Sequence, residues 1–168
     1  MAKKEKTPSG PTGYRVVASN RRAAYKFHLD ETFEGGIALL GTEVKSLRMG
    51  QVSIAEAFGR VRGGEVWLVN IDIPAYEHSG YSKHEPKRAR KILLHAREIR
   101  KVAEALEQKG HTLVPLSLYF NDRGIAKIKI ALARGKGKAD RREDVRKREH
   151  VREVDAEMAR RARSKRNS

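Results

Sequence analysis

Val114-Pro-Leu-Ser-Leu-Tyr-Phe-Asn-Asp-Arg-Gly-Ile-Ala-Lys-Ile-Lys-Ile-Ala-Leu132 reads as a β-hairpin. Val114, Leu116, Leu118 and Phe120 alternate up to the turn Asn121-Asp122-Arg123-Gly124, and Ile128, Ile130 and Leu132 alternate back. Strand side chains point to opposite faces with a period of two, so one face packs on a core. Lys127 and Lys129 lie on the other face, turned to solvent or to a polyanion.

Other segments carry similar patterns. Tyr25, Phe27 and Leu29 alternate with Lys26 and His28, and Gly36-Ile37-Ala38-Leu39-Leu40 suggests a short buried strand. Between Glu65 and Ile73, Trp67, Val69, Ile71 and Ile73 share one face, with Val66, Leu68, Asn70 and Asp72 on the other. One helix interrupts the strands. Ile99, Val102, Ala103 and Leu106 have the spacing of an apolar stripe, and Gly110 supplies the stop. A shorter helix is predicted around Val44–Leu47, ending near Gly50. Many short strands without strand–helix–strand alternation predict a mainly β fold, a small closed barrel with flanking helices. The cationic face points to the OB-like kind of barrel, which binds nucleic acids.

Charge indicates the partner. Lys and Arg number 37 against 21 Asp and Glu, a formal +16, and 35% of the chain is charged. Self-repulsion on that scale is relieved by a polyanion, so nucleic acid leads and an anionic membrane comes second. Residues 134–168 hold 14 basic and 7 acidic side chains, the densest charge in the chain. The expected organisation is a flexible Pro- and Gly-rich leader at 1–13, a barrel at 14–134 and a basic tail at 135–168. Gly135 and Gly137 form the hinge of that tail, and no Gly or Pro follows. Asp140 with Glu143 offers a helix N-cap, and Glu143–Lys147, Asp144–Arg148 and Glu157–Arg161 are acid-before-base pairs. The apolar stripe (Val151, Val154, Met158) is thin, so the tail is expected to be disordered alone and helical once docked.

Several chemistries find no support. There is no cysteine, and His28, His78, His84, His95, His111 and His150 show no metal-ligand spacing. Gly36–Gly41 has the glycine spacing of a phosphate loop, but Thr42-Glu43 follow where Lys-Ser/Thr is required. Ser79 near His78 and His84 is the one local nucleophile cluster, in a polar loop with nothing to mark it. Asp30-Glu31 reads as a solvated strand end rather than a metal site. No catalytic residue, metal or cofactor is expected. No apolar run reaches transmembrane length and the N-terminus lacks a signal-peptide pattern, so a cytoplasmic protein that binds no membrane is expected.

The run Glu34-Gly-Gly-Ile-Ala-Leu-Leu-Gly-Thr-Glu-Val-Lys-Ser-Leu-Arg48 resembles the signature E-A-G-I-x-L-x-G-T-E-V-K-S-L-R of the SsrA-binding protein (small protein B) family. Arg88-Ala-Arg-Lys-Ile-Leu-Leu-His95 is similar to its R-x-R-K-L-L-L segment, Leu113–Phe120 and Lys127–Gly135 to its final hairpin, and Asp140-Arg-Arg142 to its D-K-R tail motif. These segments span residues 14–150 in order. The resemblance implies a monomeric OB-like barrel with a basic tail that binds the tRNA-like domain of tmRNA. It implies delivery of that RNA to the empty A site of stalled ribosomes for trans-translation, with the tail in the decoding centre and mRNA channel against small-subunit rRNA.

By resemblance, RNA contacts fall on Asn20, Glu34 and Leu93, with Arg21 and Arg22 making the setting of Asn20 basic. Glu34 has an alternative as a strand-end acid paired to Lys or Arg, and the context of Leu93 alone predicts buried core. Lys45, Arg48, Arg90, Lys91, Lys127 and Lys129 are candidate phosphate contacts. Lys136, Lys138, Asp140, Arg141, Arg142, Arg146, Lys147, Arg148 and His150 form the candidate ribosome-facing tail. Arg141 departs from the usual Lys, Ala139 and His150 stand where some relatives carry stacking rings, and Gly35 stands where Ala is usual. Two other readings remain: a ribosomal or assembly protein using a barrel and basic arm, and an RNA-processing enzyme.

Overall fold

The computed structural model describes residues 14–76 and 84–166. The expected leader at 1–13 and the His78–Ser79 cluster lie outside the described residues. In chain order the elements are β1 Arg15–Ser19, α1 Ala23–Lys26, β2 Phe27–Ile37, α2 Gly41–Arg48, β3 Phe58–Arg62, β4 Glu65–Val69, β5 Arg90–Leu93, α3 Ala96–Glu107, β6 His111–Phe120, β7 Ala126–Gly135 and α4 Lys138–Arg166. The fold is mainly β with flanking helices. Seven antiparallel strands run in the order β1-β6-β3-β4-β5-β2-β7, and β6 also pairs with β7. Among the described residues no helix is long and apolar enough to cross a membrane.

The β6–β7 hairpin closes on Asn121, whose side-chain Oδ1 accepts the Arg123 and Ile125 N–H groups at 3.1 and 2.9 Å. Gly124 takes a left-handed φ of 71°, which that turn requires. Alternation along β6 is not uniform. The register slips between Pro115 and Ser117, placing an extra residue opposite β7, and a bulge of this kind flips the faces. Leu113, Leu118 and Phe120 therefore enter the main core, while Val114 joins Ala23 and Ala133 in a second cluster, with Leu116 against it.

Two further patterns break for local reasons. Residues 23–26 form a helical turn, so the strand expected from Tyr25 begins at Phe27 and ends at Ile37. β4 ends at Val69 because Asn70 adopts φ 63°. That left-handed residue resets the phase, and Ile71 and Ile73 join Val66 and Leu68 in the core, all fully buried. Trp67 and Val69 are left on the outer side, half-buried.

The helices seat against this sheet. Val102 of α3 is fully buried, with Ile99 and Leu106 packed beside it. Burying such a side chain stabilises by about 1.5–3 kcal/mol. α2 is fixed by charge as well as by Leu47. Glu43, fully buried, accepts the Leu40 N–H at 2.8 Å, as an acid in the first helical turn can do. It also receives Arg88 Nε at 2.8 Å and Arg90 Nε and Nη2 at 3.0 and 2.7 Å. Burial pushes the Glu43 carboxyl up, but hydrogen bonds from Arg88, the Leu40 N–H and Arg90 outweigh it and hold the group below the usual carboxylate range.

The chain divides into two compact units at Gly135/Lys136. The second contains α4, a continuous helix from Lys138 to Arg166. No Gly or Pro interrupts this helix, and it has local support. Asp140, expected as the N-cap, is instead the third residue of the helix, and it accepts the Gly137 N–H at 3.2 Å. Lys147 pairs with Glu143 at 2.7 Å, and Lys136 with Asp144 at 2.5 Å.

Candidate nucleic-acid interface

The outward residues of five strands line up in two rows. In the first, Leu93 opposes Gly36, Gly36 opposes Lys127, Lys127 opposes Tyr119, and Tyr119 opposes Val16. In the second, Glu34 opposes Lys129, Lys129 opposes Ser117, and Ser117 opposes Ser19. Phe33, Gly35 and Ile37 point inward on β2, so the period of two turns Glu34 outward. β5 approaches β2 closely at this point. A Cβ on Gly35 would sit 2.6 Å from the Leu93 carbonyl oxygen, so the glycine that departs from the family pattern suits the contact.

Glu34 is exposed, with its carboxylate held from one side by the Tyr119 hydroxyl, which donates to it. The Tyr14 ring lies 4.1 Å from that of Tyr119, tilted by 32°, and its hydroxyl exchanges hydrogen bonds with Ser117 and Tyr119. Burial first, then the hydrogen bond to Glu34 and its charge, push the Tyr119 phenol well above its usual value, and burial with the Glu34 charge raises Tyr14. Both phenols stay protonated near neutrality, so Tyr119 remains a donor. Glu34 keeps lone pairs for an incoming donor, and the RNA 2′-OH and base amino groups are such donors. Lys127 and Lys129 flank it and make no ion pair among the described residues, so their ammonium groups can meet phosphate.

Sequence reasoning did not name Tyr119 or Tyr14. The signal was available, because Tyr119 occupies the outward parity of the hairpin opposite Lys127.

Asn20 follows β1. Its side-chain amide donates to the Pro115 carbonyl at 3.2 Å, and its backbone N–H donates to Leu116 O at 2.8 Å. The side-chain oxygen is left to accept, and Arg21 and Arg22 are both exposed. Leu93 is 53% exposed, so the burial predicted from its context is corrected. It sits on the outer side of β5, with its side chain beside Gly36. Lys45 lies 5.5 Å from the Tyr76 ring, and Arg48 6.0 Å from that of Phe120.

Two cations differ from expectation. Arg90 is fully buried, and all five of its N–H donors are engaged. They go to Glu43 and to the carbonyls of Ile71, Arg88 and Glu85. No donor is left for a phosphate, and the residue clasps α2 instead. Lys91 is half-exposed and bonded to Glu65.

In the second unit, Arg142, Arg146 and His150 follow one another at four-residue spacing along α4, all exposed. Lys147 is paired with Glu143, which raises its pKa through a hydrogen bond. Asp140 caps the helix start and Lys136 bonds Asp144, while Lys138, Arg141 and Arg148 lie on the same helix. Among the described residues no group of three or more His, Cys, Asp or Glu could hold a metal ion.

A family model described as SmpB protein matches residues 17–160. The SsrA-binding protein of Novosphingobium aromaticivorans is 54% identical over 139 residues, covering 83% of this chain and 87% of its own. That of Thermobifida fusca is 47% identical over 161 residues, covering 96% and 99%. A solved structure described by the words "tmRNA-SmpB: a journey to the center of the bacterial ribosome" contains a similar chain. Its TM-score is 0.63 at 48% identity, over 79% of this chain and 95% of that one.

Proposed function

The chain belongs to the SmpB family, and from that premise we propose that it binds the tRNA-like domain of tmRNA and delivers it to the empty A site of stalled ribosomes for trans-translation. The observation that carries this reading is the outward Glu34 carboxylate, held by Tyr119 and flanked by Lys127 and Lys129. An acid kept exposed on a chain of formal charge +16 repels a phosphate backbone, unless it selects a particular donor within a structured RNA. Leu93 offers an apolar seat for an unstacked base on the same face, and Asn20 an acceptor at the end of β1. The SsrA in the relatives' name and the tmRNA in the neighbouring structure's description support the same partner.

The body at 14–134 is read as a small OB-like barrel. Its support is the β6–β7 pairing, through which the ladder β6-β3-β4-β5-β2-β7 returns to its first strand. The tail at 135–168 is assigned to the decoding centre and mRNA channel, where Arg142, Arg146 and His150 would face rRNA. The protein acts as a cytoplasmic monomer, an adaptor without catalysis, metal or cofactor.

The test is Glu34→Ala against the tRNA-like domain. Leaving its RNA donor and the Tyr119 hydroxyl unsatisfied should weaken binding by about 1–3 kcal/mol. Tyr119→Phe, which frees the carboxylate without removing it, should cost less. Unchanged affinity in Glu34→Ala would return Glu34 to a role in the fold alone.

A further inference from the structure

We infer that the outer face of β3, β4 and β5 is a second RNA site, a stacking cleft for an unpaired nucleotide of a single strand. Trp67, the one tryptophan of the chain, stands at its centre. Its strand neighbours Val66 and Leu68 are fully buried, so the period of two leaves the indole on the outside, half-exposed. Across the sheet it faces Arg60 on β3 and Lys91 on β5, and Arg62 faces Glu65 one step along. Together with neighbouring residues of β3 and β4, Arg60, Arg62, Glu65 and Trp67 line a cleft of about 590 Å³, within the range that takes a small organic group.

Charge decides what fits. Lys91 is bonded to Glu65 and so is largely neutralised. Arg60 and Arg62 make no ion pair among the described residues, and the Arg60 guanidinium lies 5.0 Å from the Phe58 ring, which holds it on the outer face. A half-exposed indole beside two guanidiniums lacking carboxylates is the arrangement that takes a base by its π-face and the adjoining phosphates by charge. Duplex RNA keeps its base faces stacked and cannot offer one to the indole. An apolar partner would strip water from two guanidiniums and return no counter-charge. The cleft shares only β5 with the Glu34 face and uses none of its residues.

Because Trp67 is the one tryptophan, every change in tryptophan emission arises at the indole of this cleft. The full-length protein is titrated with a short oligoadenylate and with the same length of RNA duplex, at two salt concentrations. The expected result is saturable quenching by the single strand and little by the duplex. Arg60→Ala/Arg62→Ala, read by the same quenching, should weaken single-strand binding by about tenfold or more, in keeping with the loss of two phosphate contacts. Arg97→Ala/Arg100→Ala, which removes the same charge from exposed positions on α3, is the control. The inference is overturned if the oligonucleotide leaves Trp67 emission unchanged, if duplex quenches equally, or if the two double variants weaken binding alike. A labelled tRNA-like domain, followed by anisotropy with each variant, separates the two sites. Retained affinity in Arg60→Ala/Arg62→Ala supports a separate cleft, whereas a parallel loss of both ligands refutes it and leaves one continuous site.

Discussion

Replacing Glu43 by Gln should destabilise the β unit far more than its single charge suggests. Glu43 and Arg90 are both fully buried, so water does not screen the pair. Gln keeps the volume and one acceptor oxygen, yet leaves the Arg90 guanidinium as an uncompensated charge among carbonyl partners. Breaking a buried pair from one side costs about 3–5 kcal/mol, and the acceptor retained by Gln places this variant near 3 kcal/mol. Replacing both residues together, Glu43→Leu with Arg90→Met, removes two buried charges at once and should cost less than the sum of the single changes. Urea unfolding followed by Trp67 emission reads the unit directly, and a loss near 3 kcal/mol moves the midpoint by about 1–3 M.

The effect also depends on pH in a definite direction. The folded carboxyl titrates below its unfolded value, which is about 4.3. Its contribution is therefore complete above that pH and disappears as pH falls through the lower folded value. The gap between the parent and Glu43→Gln should narrow on acidification within that window. A loss under about 1 kcal/mol, strict additivity in the double variant, or a gap that widens in acid would refute the buried-clasp reading.

Deleting residues 140–168 should leave affinity for the tRNA-like domain nearly intact while abolishing peptide tagging in a reconstituted translation assay. Loss of RNA binding in the truncated protein would contradict the division of labour at Gly135–Gly137. A peptide of residues 136–168 should be mostly coil by circular dichroism in water, because α4 has few half-buried side chains among its described residues and an isolated helix of that kind is marginal. Strong helicity without any partner would show that the local pairs of α4 suffice.

The hairpin, α3 and α2 were legible because their patterns are local: a two-residue period, a helical stripe, and glycines at the ends. What failed was phase. The bulge at Pro115–Ser117 and the left-handed Asn70 each shift one residue, and a one-residue shift moves every following side chain to the other face. Asn70 is not marked, since Asn is tolerated there without being required, whereas Pro115 inside a strand is a bulge signal that the alternation passed over. Arg90 failed for a different reason. A basic residue in a basic run reads as surface, and only the pairing of β5 with β4 brings it over Glu43, 47 positions away. Leu93 is the converse case, an apolar side chain that strand parity turns outward. Glu34, Lys127 and Lys129 were named from sequence and come onto one face through the β2–β7 register, which long-range pairing alone sets. Tyr14 reaches that face through its contact with Tyr119, between residues too far apart for any spacing rule.

The most direct measurement compares affinity for the tRNA-like domain of tmRNA with that for an elongator tRNA and a length-matched duplex, each at two salt concentrations. A preference for the tRNA-like domain that persists at the higher salt is predicted, because the Glu34, Asn20 and Leu93 contacts do not depend on counterion release. Equal binding of all three RNAs that collapses with salt would contradict it, and would leave only a basic surface.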